Sequence, residues 1–253
     1  MWKLIHGSVR GTSHAASGQP CQDFCAGTRD GPTLVAACAD GAGSADLSHF
    51  GARAAVERFL EVATTGGSAP DHATLEAWVD AARDGVLEEA ARHGALPRQL
   101  ACTLLVALVG DGWAAFAQVG DGVIVFDAES GYELAFWPDN GEYANSTRFL
   151  TDDDYRKHLR IEVVAQQVDE LAVMTDGLQM LALDFKGARV HGRFFEPLFR
   201  TVRGNPDEGA LRASLLDFLG SSRVNERTDD DKTLLLATRT NPDVAPPVSQ
   251  PAP

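Results

Sequence analysis

Four short clusters centred on aspartate constrain this chain more than any other feature of its sequence. They are CQD at residues 21–23, ADGAGSA at 39–45, TDG at 175–177 and DDDKT at 229–233. Three of the four adjoin an apolar run that predicts a buried strand, such as TLVAACA before Asp40. An ionised carboxylate at such a position is costly unless a cation offsets its charge. If several are ionised together, a divalent cation is their simplest partner.

The composition predicts a chain that can bury one sizeable core. Of its 253 residues, 44% are hydrophobic, which suits a single domain or two tightly fused halves. We expect one folded domain over residues 1–239. The last residues, 240–253, are rich in proline and predict a disordered tail without catalytic residues.

Charge and hydropathy exclude two classes of partner. The net charge of −14, without any Lys/Arg-rich segment, argues against binding to the backbone of nucleic acid. No stretch approaches eighteen apolar residues, and the opening MWKLIHGSVR turns polar too early for a signal peptide. We therefore expect a cytoplasmic protein that binds neither nucleic acid nor membrane.

The four cysteines predict neither disulfides nor a zinc site. Cys38 and Cys102 lie inside apolar runs, where a cytosolic thiol usually behaves as a small buried hydrophobe. Cys21 and Cys25 lack the nearby second pair that a zinc site needs, and their role stays open.

The first half of the chain predicts strands, then two helices, then more strands. Residues 4–9 and 33–39 are the early strands, and two amphipathic patterns follow, the second with Asp71 as its N-cap. Residues 101–127 hold three apolar runs separated by two GDG triplets. This spacing predicts an antiparallel meander rather than a βαβ unit.

The second half predicts two helices and a last strand. Residues 194–202 form the first helix, and residues 205–219 the second. Asn205 is the expected N-cap of the second helix, Glu208 closes a capping box, and Gly220 follows its end. With a final strand over 233–237, the chain predicts a mostly antiparallel α+β fold of two sheets and two helix layers.

Five motifs in a fixed order carry a resemblance to a known family. They are Gln22-Asp23, DGAGS from Asp40, a Thr-bearing strand before the VGDG that ends at Gly122, the TDG cluster, and DDKT from Asp230. This order resembles the metal-dependent protein phosphatases of type 2C, the PPM family, from Gly11 to Ala237. The segments 11–23 and 141–151 are similar to a bacterial subgroup of that family.

The resemblance implies a fold and a set of metal ligands. The fold is a central antiparallel β-sandwich flanked by helix layers, with metal ions in a cleft at one edge. Asp40 would bridge two ions, the carbonyl of Gly41 would be a further ligand, and Asp176 and Asp230 would complete the shell of the first ion.

Two further residues take weaker roles by the same resemblance. Asp23 matches the residue that organises the second ion or its waters. Asp121 matches a position that holds a third ion, together with Asp176, in bacterial members.

The residue types suit this chemistry without the family name. Hydrolysis of a phosphomonoester needs a clamp for the phosphoryl oxygens and a nucleophile at neutral pH, and two oxygen-ligated ions supply both. Carboxylates suit Mg²⁺ or Mn²⁺ rather than zinc. The GxSxG pattern of serine hydrolases and the HCxxxxxR pattern of cysteine phosphatases are both absent from the sequence.

The chain departs from the best-known family members at two positions. Gln22 stands where they have a Glu, and Gly18 stands where they have a phosphate-binding Arg. His14 and Arg10 are the nearest residues that could bind the phosphate instead.

Several of these residues have simpler alternatives. Asp111 and Asp121 both lie in GDG triplets, which favour hairpin turns on backbone grounds alone. Asp229 and Asp231 are expected to be solvated neighbours of a ligand. His14 is alternatively a hydrogen-bonded strand residue.

The sequence thus predicts a Mn²⁺- or Mg²⁺-dependent phosphatase with two ions, or three if Asp121 is a ligand. Its expected partners are a phosphoprotein substrate with phosphorylated Ser or Thr and a cognate Ser/Thr kinase. The alternatives are a non-catalytic phosphatase-like module that binds a phosphoprotein or a kinase, and a phosphatase of small phosphoesters. Asp40, Asp176 and Asp230 are all present, which favours the catalytic interpretation.

Overall fold

Two five-stranded antiparallel sheets form the centre of the fold in the computed structural model, which describes residues 1–138 and 147–240. The strands are β1 (Trp2–Val9), β2 (Phe24–Asp30), β3 (Thr33–Ala39), β4 (Leu104–Gly110), β5 (Trp113–Val119), β6 (Val123–Ala128), β7 (Gly131–Leu134), β8 (Arg160–Val164), β9 (Glu170–Met174), β10 (Leu183–Asp184), β11 (Arg189–Val190) and β12 (Lys232–Arg239). Sheet 1 has the order β1-β12-β9-β6-β7 and sheet 2 the order β2-β3-β4-β5-β8, while β10 and β11 form a separate short hairpin.

Helices cover the outer face of each sheet. They are α1 (Thr12–Ser17), α2 (Ser48–Val62), α3 (His72–Arg92), α4 (Gln179–Ala182), α5 (Gly192–Gly204), α6 (Glu208–Leu219) and α7 (Ser222–Asn225). Single turns of 3₁₀-helix span Pro97–Leu100, Tyr155–Lys157 and Asp176–Leu178.

The central strands are apolar throughout because both of their faces are buried. In β3, Val35 and Ala37 pack in the same cluster as Phe59 of α2. The alternate residues Leu34 and Ala36 pack between the two sheets. A strand covered on both sides needs apolar residues at successive positions, which explains the unbroken run in the sequence.

Two helix layers complete the structure and confirm the predicted α+β class. Phe59 and Leu75 of α2 and α3 are fully buried against sheet 2. Phe195 of α5 and Leu211 of α6 are buried against sheet 1. The order of layers is helix, sheet, sheet, helix.

The predicted three-stranded meander is wrong at its third strand. The turn at Asp111 and Gly112 does join β4 to β5 as a hairpin, with Gly112 at φ +74°. The second triplet instead carries the chain from sheet 2 to sheet 1, because β5 pairs with β8 and β6 pairs with β9. Gly120 has φ +108°, and a Cβ on Gly122 would lie 2.8 Å from the carbonyl oxygen of Met174. The hairpin alternative for Asp121 is therefore excluded.

The N-cap predicted for the second C-terminal helix is also wrong. The helix α6 begins at Glu208, and the side chain of Asp207 accepts a hydrogen bond of 3.0 Å from the N–H of Ala210. Asn205 lies two residues earlier, and its side chain accepts a hydrogen bond of 2.9 Å from the N–H of Asp207, which forms an Asx turn before the helix. The predicted end is confirmed, since Gly220 follows the last residue of α6.

Two predictions fall on segments that the structure describes only in part. The proline-rich tail over 240–253 lies outside the described residues except for Thr240, whose N–H donates to the carbonyl of Met1 at 2.6 Å. Residues 139–146 lie outside them as well, and they include the first part, 141–146, of the segment 141–151 that carries the family resemblance. Among the helices that are described, none combines the length and the apolar composition needed to span a lipid bilayer.

All four cysteines are free thiols. Cys38 and Cys102 are fully buried, as predicted. Cys25 is also buried and lies opposite Cys38 in the register of β2 and β3, whereas Cys21 is half-buried.

Candidate metal centre

The predicted carboxylates meet because they occupy the same end of neighbouring antiparallel strands. Phe24, at the start of β2, pairs with Ala39, at the end of β3, so Asp23 and Asp40 are adjacent where the two strands meet. Met174, at the end of β9, pairs with Val123 and Leu234, near the starts of β6 and β12. Asp121, Asp176 and Asp230 therefore lie at one end of sheet 1.

Asp40 is the central member of the cluster. Burial, and then the charges of Asp23 and Asp176, raise its pKa well above the ordinary range. Its backbone is fixed on both sides by Thr103, whose hydroxyl accepts from the Asp40 N–H at 2.9 Å and whose N–H donates to the Asp40 carbonyl at 2.8 Å. These two hydrogen bonds to Thr103 hold the turn through the backbone of Asp40 and do not use its side chain.

The neighbouring carboxylates also hold protons more tightly than usual. Burial raises the pKa of Asp23 to about 7. Burial and the charge of Asp121 raise the pKa of Asp176 to about 6, and burial raises that of Asp230 as well. Each shift has the sign expected for buried acids that face one another without a cation.

Buried oxygen atoms without hydrogen-bond donors also indicate a cation site. Asp23 accepts one hydrogen bond on Oδ2, from the Thr175 hydroxyl at 2.7 Å. Within residues 1–138 and 147–240, the other oxygen of Asp23 and Oδ1 of Asp176 find no hydrogen-bond partner, nor does Oε1 of the buried Gln22. Buried polar atoms are rarely left unpaired in native proteins, so these oxygens fit a hard divalent cation.

The approach of these carboxylates is pairwise. No three His, Cys, Asp or Glu side chains in the described part of the chain converge closely enough to enclose an ion by themselves. Pairs of carboxylates with open positions suit Mg²⁺ and Mn²⁺ better than zinc, because Mg²⁺ usually keeps several water ligands.

The loop after Asp40 leaves no room for a side chain at Gly41. A Cβ there would lie 2.7 Å from the carbonyl oxygen of Gln22 and 2.8 Å from the Ser48 side chain. Gly41 also forms a bridge with Cys102 of the next strand pair. Its carbonyl, the predicted further ligand, is therefore in a closely packed backbone.

Asp121 lies at the crossing between the sheets, and its charge reaches Asp176. Its Oδ2 accepts a hydrogen bond of 2.7 Å from the Thr147 hydroxyl, and its backbone carbonyl accepts from the side-chain amide of Gln179. The first contact fixes the carboxylate and the second ties this crossing to α4.

Asp231 is a structural residue that the sequence analysis misassigned as a solvated neighbour. Its side chain is only 3% exposed. The two oxygens accept hydrogen bonds of 2.6 Å from the N–H groups of Gly11 and Gln22, and His14 Nδ1 lies 2.9 Å from Oδ2. Asp231 therefore joins the start of β12 to the N-terminal segment that carries the first motif.

His14 and Arg10, the predicted phosphate ligands, differ in position. His14 lies in α1 rather than in a strand, and its Nδ1 is close to Asp231 without the alignment of a hydrogen bond. A Cβ on Gly43 would be 3.7 Å from His14 Nε2, so the ring edge faces the loop that follows Asp40. Arg10 is exposed and donates to the carbonyl of Gln19 at 3.3 Å. Gly18 ends α1 at φ +77°, where an arginine would be strained.

Replacing Asp231 by Ala is expected to lower the free energy of unfolding by about 3 kcal/mol, because two buried N–H groups would lose their acceptor. Urea unfolding measures the change. The matched control is Asp229→Ala, since Asp229 is exposed and within two positions. The control should shift stability by less than about 0.5 kcal/mol, and an equal loss in both variants would contradict the structural role of Asp231.

Comparison with known proteins finds relatives along most of the chain. The family model for protein phosphatase 2C matches residues 10–220. Serine/threonine-protein phosphatase 3 of Escherichia coli strain K12 is 36% identical over 247 residues, which cover 93% of this chain and 98% of that protein.

Two solved structures show the same fold at low sequence identity. The serine/threonine phosphatase of S. agalactiae superposes with a TM-score of 0.65 at 14% identity, covering 95% of this chain and 100% of that one. The catalytic domain of the phosphatase PstP, solved with two manganese ions, gives a TM-score of 0.63 at 14% identity, covering 95% and 99%.

Proposed function

The chain belongs to the protein phosphatase 2C family, and we propose that it hydrolyses phosphoserine and phosphothreonine in proteins with Mn²⁺ or Mg²⁺ as cofactor. The Escherichia coli relative, which is named a serine/threonine-protein phosphatase, supports the substrate class. The manganese ions in the PstP structure support the metal.

One observation carries the proposal for this chain. Burial, and then the charges of both Asp23 and Asp176, raise the pKa of Asp40 well above the ordinary range. Both neighbours have a buried oxygen without a hydrogen-bond partner in the described parts of the chain. A cluster of this kind is stable in its ionised form only with bound cations.

The family's motif order supports an assignment of the ligands. Asp40 would hold both ions, with the Gly41 carbonyl, Asp176 and Asp230 at the first and Asp23 at the second. Bound there, the ions would polarise the phosphoryl oxygens and lower the pKa of a ligating water. The protein's own part is to hold the carboxylates, through Thr103 at Asp40 and Thr175 at Asp23.

His14 is our candidate for the phosphate contact that Gly18 cannot make. The contact between His14 Nδ1 and Asp231 positions the ring, and Nε2 faces the loop at Gly43. From there an N–H at Nε2 could donate a hydrogen bond to a phosphoryl oxygen. Arg10 is the weaker candidate, because its guanidinium already donates to Gln19.

A direct test combines catalysis with metal binding. Hydrolysis of p-nitrophenyl phosphate and of a phosphothreonine peptide is expected only when Mn²⁺ is restored after chelation. Calorimetric titration with Mn²⁺ should show at least two sites in the same preparation. Binding of the phosphopeptide without turnover would favour the alternative, a non-catalytic module that binds a phosphoprotein or kinase. The kinase partner and the cytoplasmic location stay predictions.

Asp121→Ala tests the assignment of a third, weaker ion. If Asp121 is a ligand, the variant should retain tight binding of two ions and lose turnover, because that ion would orient reactants rather than generate the nucleophile. Calorimetric metal titration beside steady-state kinetics measures both quantities. The control is Asp111→Ala in the other GDG triplet, where Asp111 pairs with Arg239 at 2.6 Å, and there turnover should not change. Unchanged turnover in Asp121→Ala would exclude the third ion.

A further inference from the structure

A cationic cleft lies on the helical side of sheet 1. It has a volume of about 920 Å³ and is bounded by the β10–β11 hairpin, the start of α5, the end of α6, and α7. Three arginines line it, Arg189, Arg193 and Arg223, together with one carboxylate, Glu196. This positive surface contrasts with the net charge of −14 of the whole chain.

Two of the three arginines are available for a ligand. Arg189 pairs with Asp184, with Nε 2.9 Å from Oδ2. Arg193 and Arg223 make no hydrogen bond or ion pair with any residue in the ranges 1–138 and 147–240, and both are exposed. An anion could therefore bind both guanidinium groups without displacing a partner.

Apolar and aromatic side chains line the cleft beside its charged residues. Phe194 and Phe218 lie there with ring centroids 6.2 Å apart, beside Leu181 and Leu198. Met180, next to Leu181 on α4, is 70% exposed. Exposed methionines and aromatic side chains are typical of surfaces that bind apolar side chains.

One wall of the cleft is continuous in sequence with the carboxylate cluster, because the lining residue Leu181 lies five residues after Asp176. The helix α4 begins three residues after Asp176, and the Gln179 side chain donates to the carbonyl of Asp121. One turn of 3₁₀-helix and α4 separate Asp176 from Leu181, a rise of about 9 Å. An extended peptide covers that distance in about three residues.

We infer that the cationic cleft binds an acidic, extended segment of the phosphoprotein substrate, about three residues from the phosphorylated side chain. Its carboxylates would pair with Arg193 and Arg223, and an apolar side chain would pack on Phe194 and Phe218. The inference rests on the proposed function, because the neighbouring cluster is what would bring a phosphorylated chain to this place. That proximity favours a substrate segment over a free anion or an anionic membrane.

The first experiment compares matched substrates. Phosphothreonine peptides carry either Asp and Glu or Asn and Gln three and four residues from the phosphothreonine, on one side or the other. We expect the acidic version of one pair to have a roughly tenfold higher kcat/KM, mostly through KM, since two exposed ion pairs contribute up to about that much. Equal values for the acidic and neutral peptides of both pairs would overturn the inference.

Variants locate the effect in the cleft. Arg193→Ala with Arg223→Ala should remove the preference for the acidic peptide and leave hydrolysis of p-nitrophenyl phosphate unchanged. Arg200→Ala with Arg212→Ala is the matched control, because it removes two exposed charges from α5 and α6 outside the cleft. Arg193→Glu with Arg223→Glu should favour a peptide with Lys at the same positions. A preference that survives in all variants would contradict the inference.

Binding separates failure of this inference from failure of the proposed function. Fluorescence anisotropy with the acidic peptide needs no turnover. If p-nitrophenyl phosphate is not hydrolysed, but the peptide binds through Arg193 and Arg223, the catalytic proposal fails and the docking site stands. If the peptide does not bind, while vesicles of anionic phospholipid bind through these arginines, the cleft is a membrane contact and the inference is wrong.

Discussion

Replacing Asp40 by Asn is expected to lower turnover at saturating Mn²⁺ by a hundredfold or more, equivalent to at least about 2.7 kcal/mol of barrier. The change is nearly isosteric, but it removes the charge that two ions would share. The two backbone contacts with Thr103 do not involve the side chain, so the fold should persist. Steady-state kinetics with circular dichroism on the same sample measures both.

The same variant should be more stable than the natural sequence when metal is absent. At neutral pH the raised pKa of Asp40 means that its ionised form is disfavoured in the folded protein. Asn does not ionise, so the variant lacks this unfavourable contribution to its folding free energy. Asp153→Asn, in an exposed loop, is the control for loss of one charge. More than about a tenth of natural activity in folded Asp40→Asn, a loss under 1.4 kcal/mol, would exclude the bridging role.

Metal-free protein is expected to lose several kcal/mol of stability as the pH rises from about 4 to about 7. The pKa of Asp23 is raised to about 7 and that of Asp176 to about 6. Because unfolded aspartates titrate near pH 3.9, the folded state binds more protons across this interval. The stability that these protonated acids provide is complete below about pH 4 and is lost as they ionise.

Mn²⁺ should reverse this loss, because it binds the ionised carboxylates of the folded state. Ligand at a hundred times its dissociation constant adds about 2.7 kcal/mol, and the gain should grow between pH 5 and 7.5 as protons leave the site. Thermal unfolding with chelator or with millimolar Mn²⁺ measures the difference at each pH. Because both melting temperatures at a given pH come from the same protein, groups far from the site affect them equally and do not contribute to their difference. A melting temperature that is insensitive to Mn²⁺ at pH 7.5 would argue strongly against the metal centre.

The carboxylates at the strand ends can be predicted well from the sequence, because the pattern that reveals them lies within a few consecutive residues. A strand buried on both faces is recognisable by its unbroken apolar run, and a carboxylate at its end is conspicuous. Asp40 and Asp176 are found in this way. Antiparallel pairing then brings such strand ends together without further information, as the register of β2 with β3 shows.

The predictions that failed depend on contacts between residues that are far apart in the sequence. The triplet at Asp121 has the composition of a tight turn, and only the partners of β5 and β6 reveal that it crosses between sheets. Asp230 and Asp231 are adjacent carboxylates of identical type. What distinguishes them is that Asp231 accepts from Gly11, 220 positions away in sequence. No pattern in a short window contains that partner.

The position of β12 decides at which step of folding the carboxylate cluster can be completed. Among the described residues 1–138 and 147–240 it is the last strand, yet it lies between β1 and β9 and pairs with both along their length. All strands of sheet 2 lie before residue 165, so this sheet can pair before β12 is available. The strand β1 has no partner in sheet 1 until β12 is present. Asp230 lies two residues before β12, and β9, which ends two residues before Asp176, pairs with β12. A chain without β12 could still pair β2 with β3 and bring Asp23 and Asp40 together, but it would not hold Asp230 beside them, so the proposed metal site is complete only once this strand has been added to the sheet.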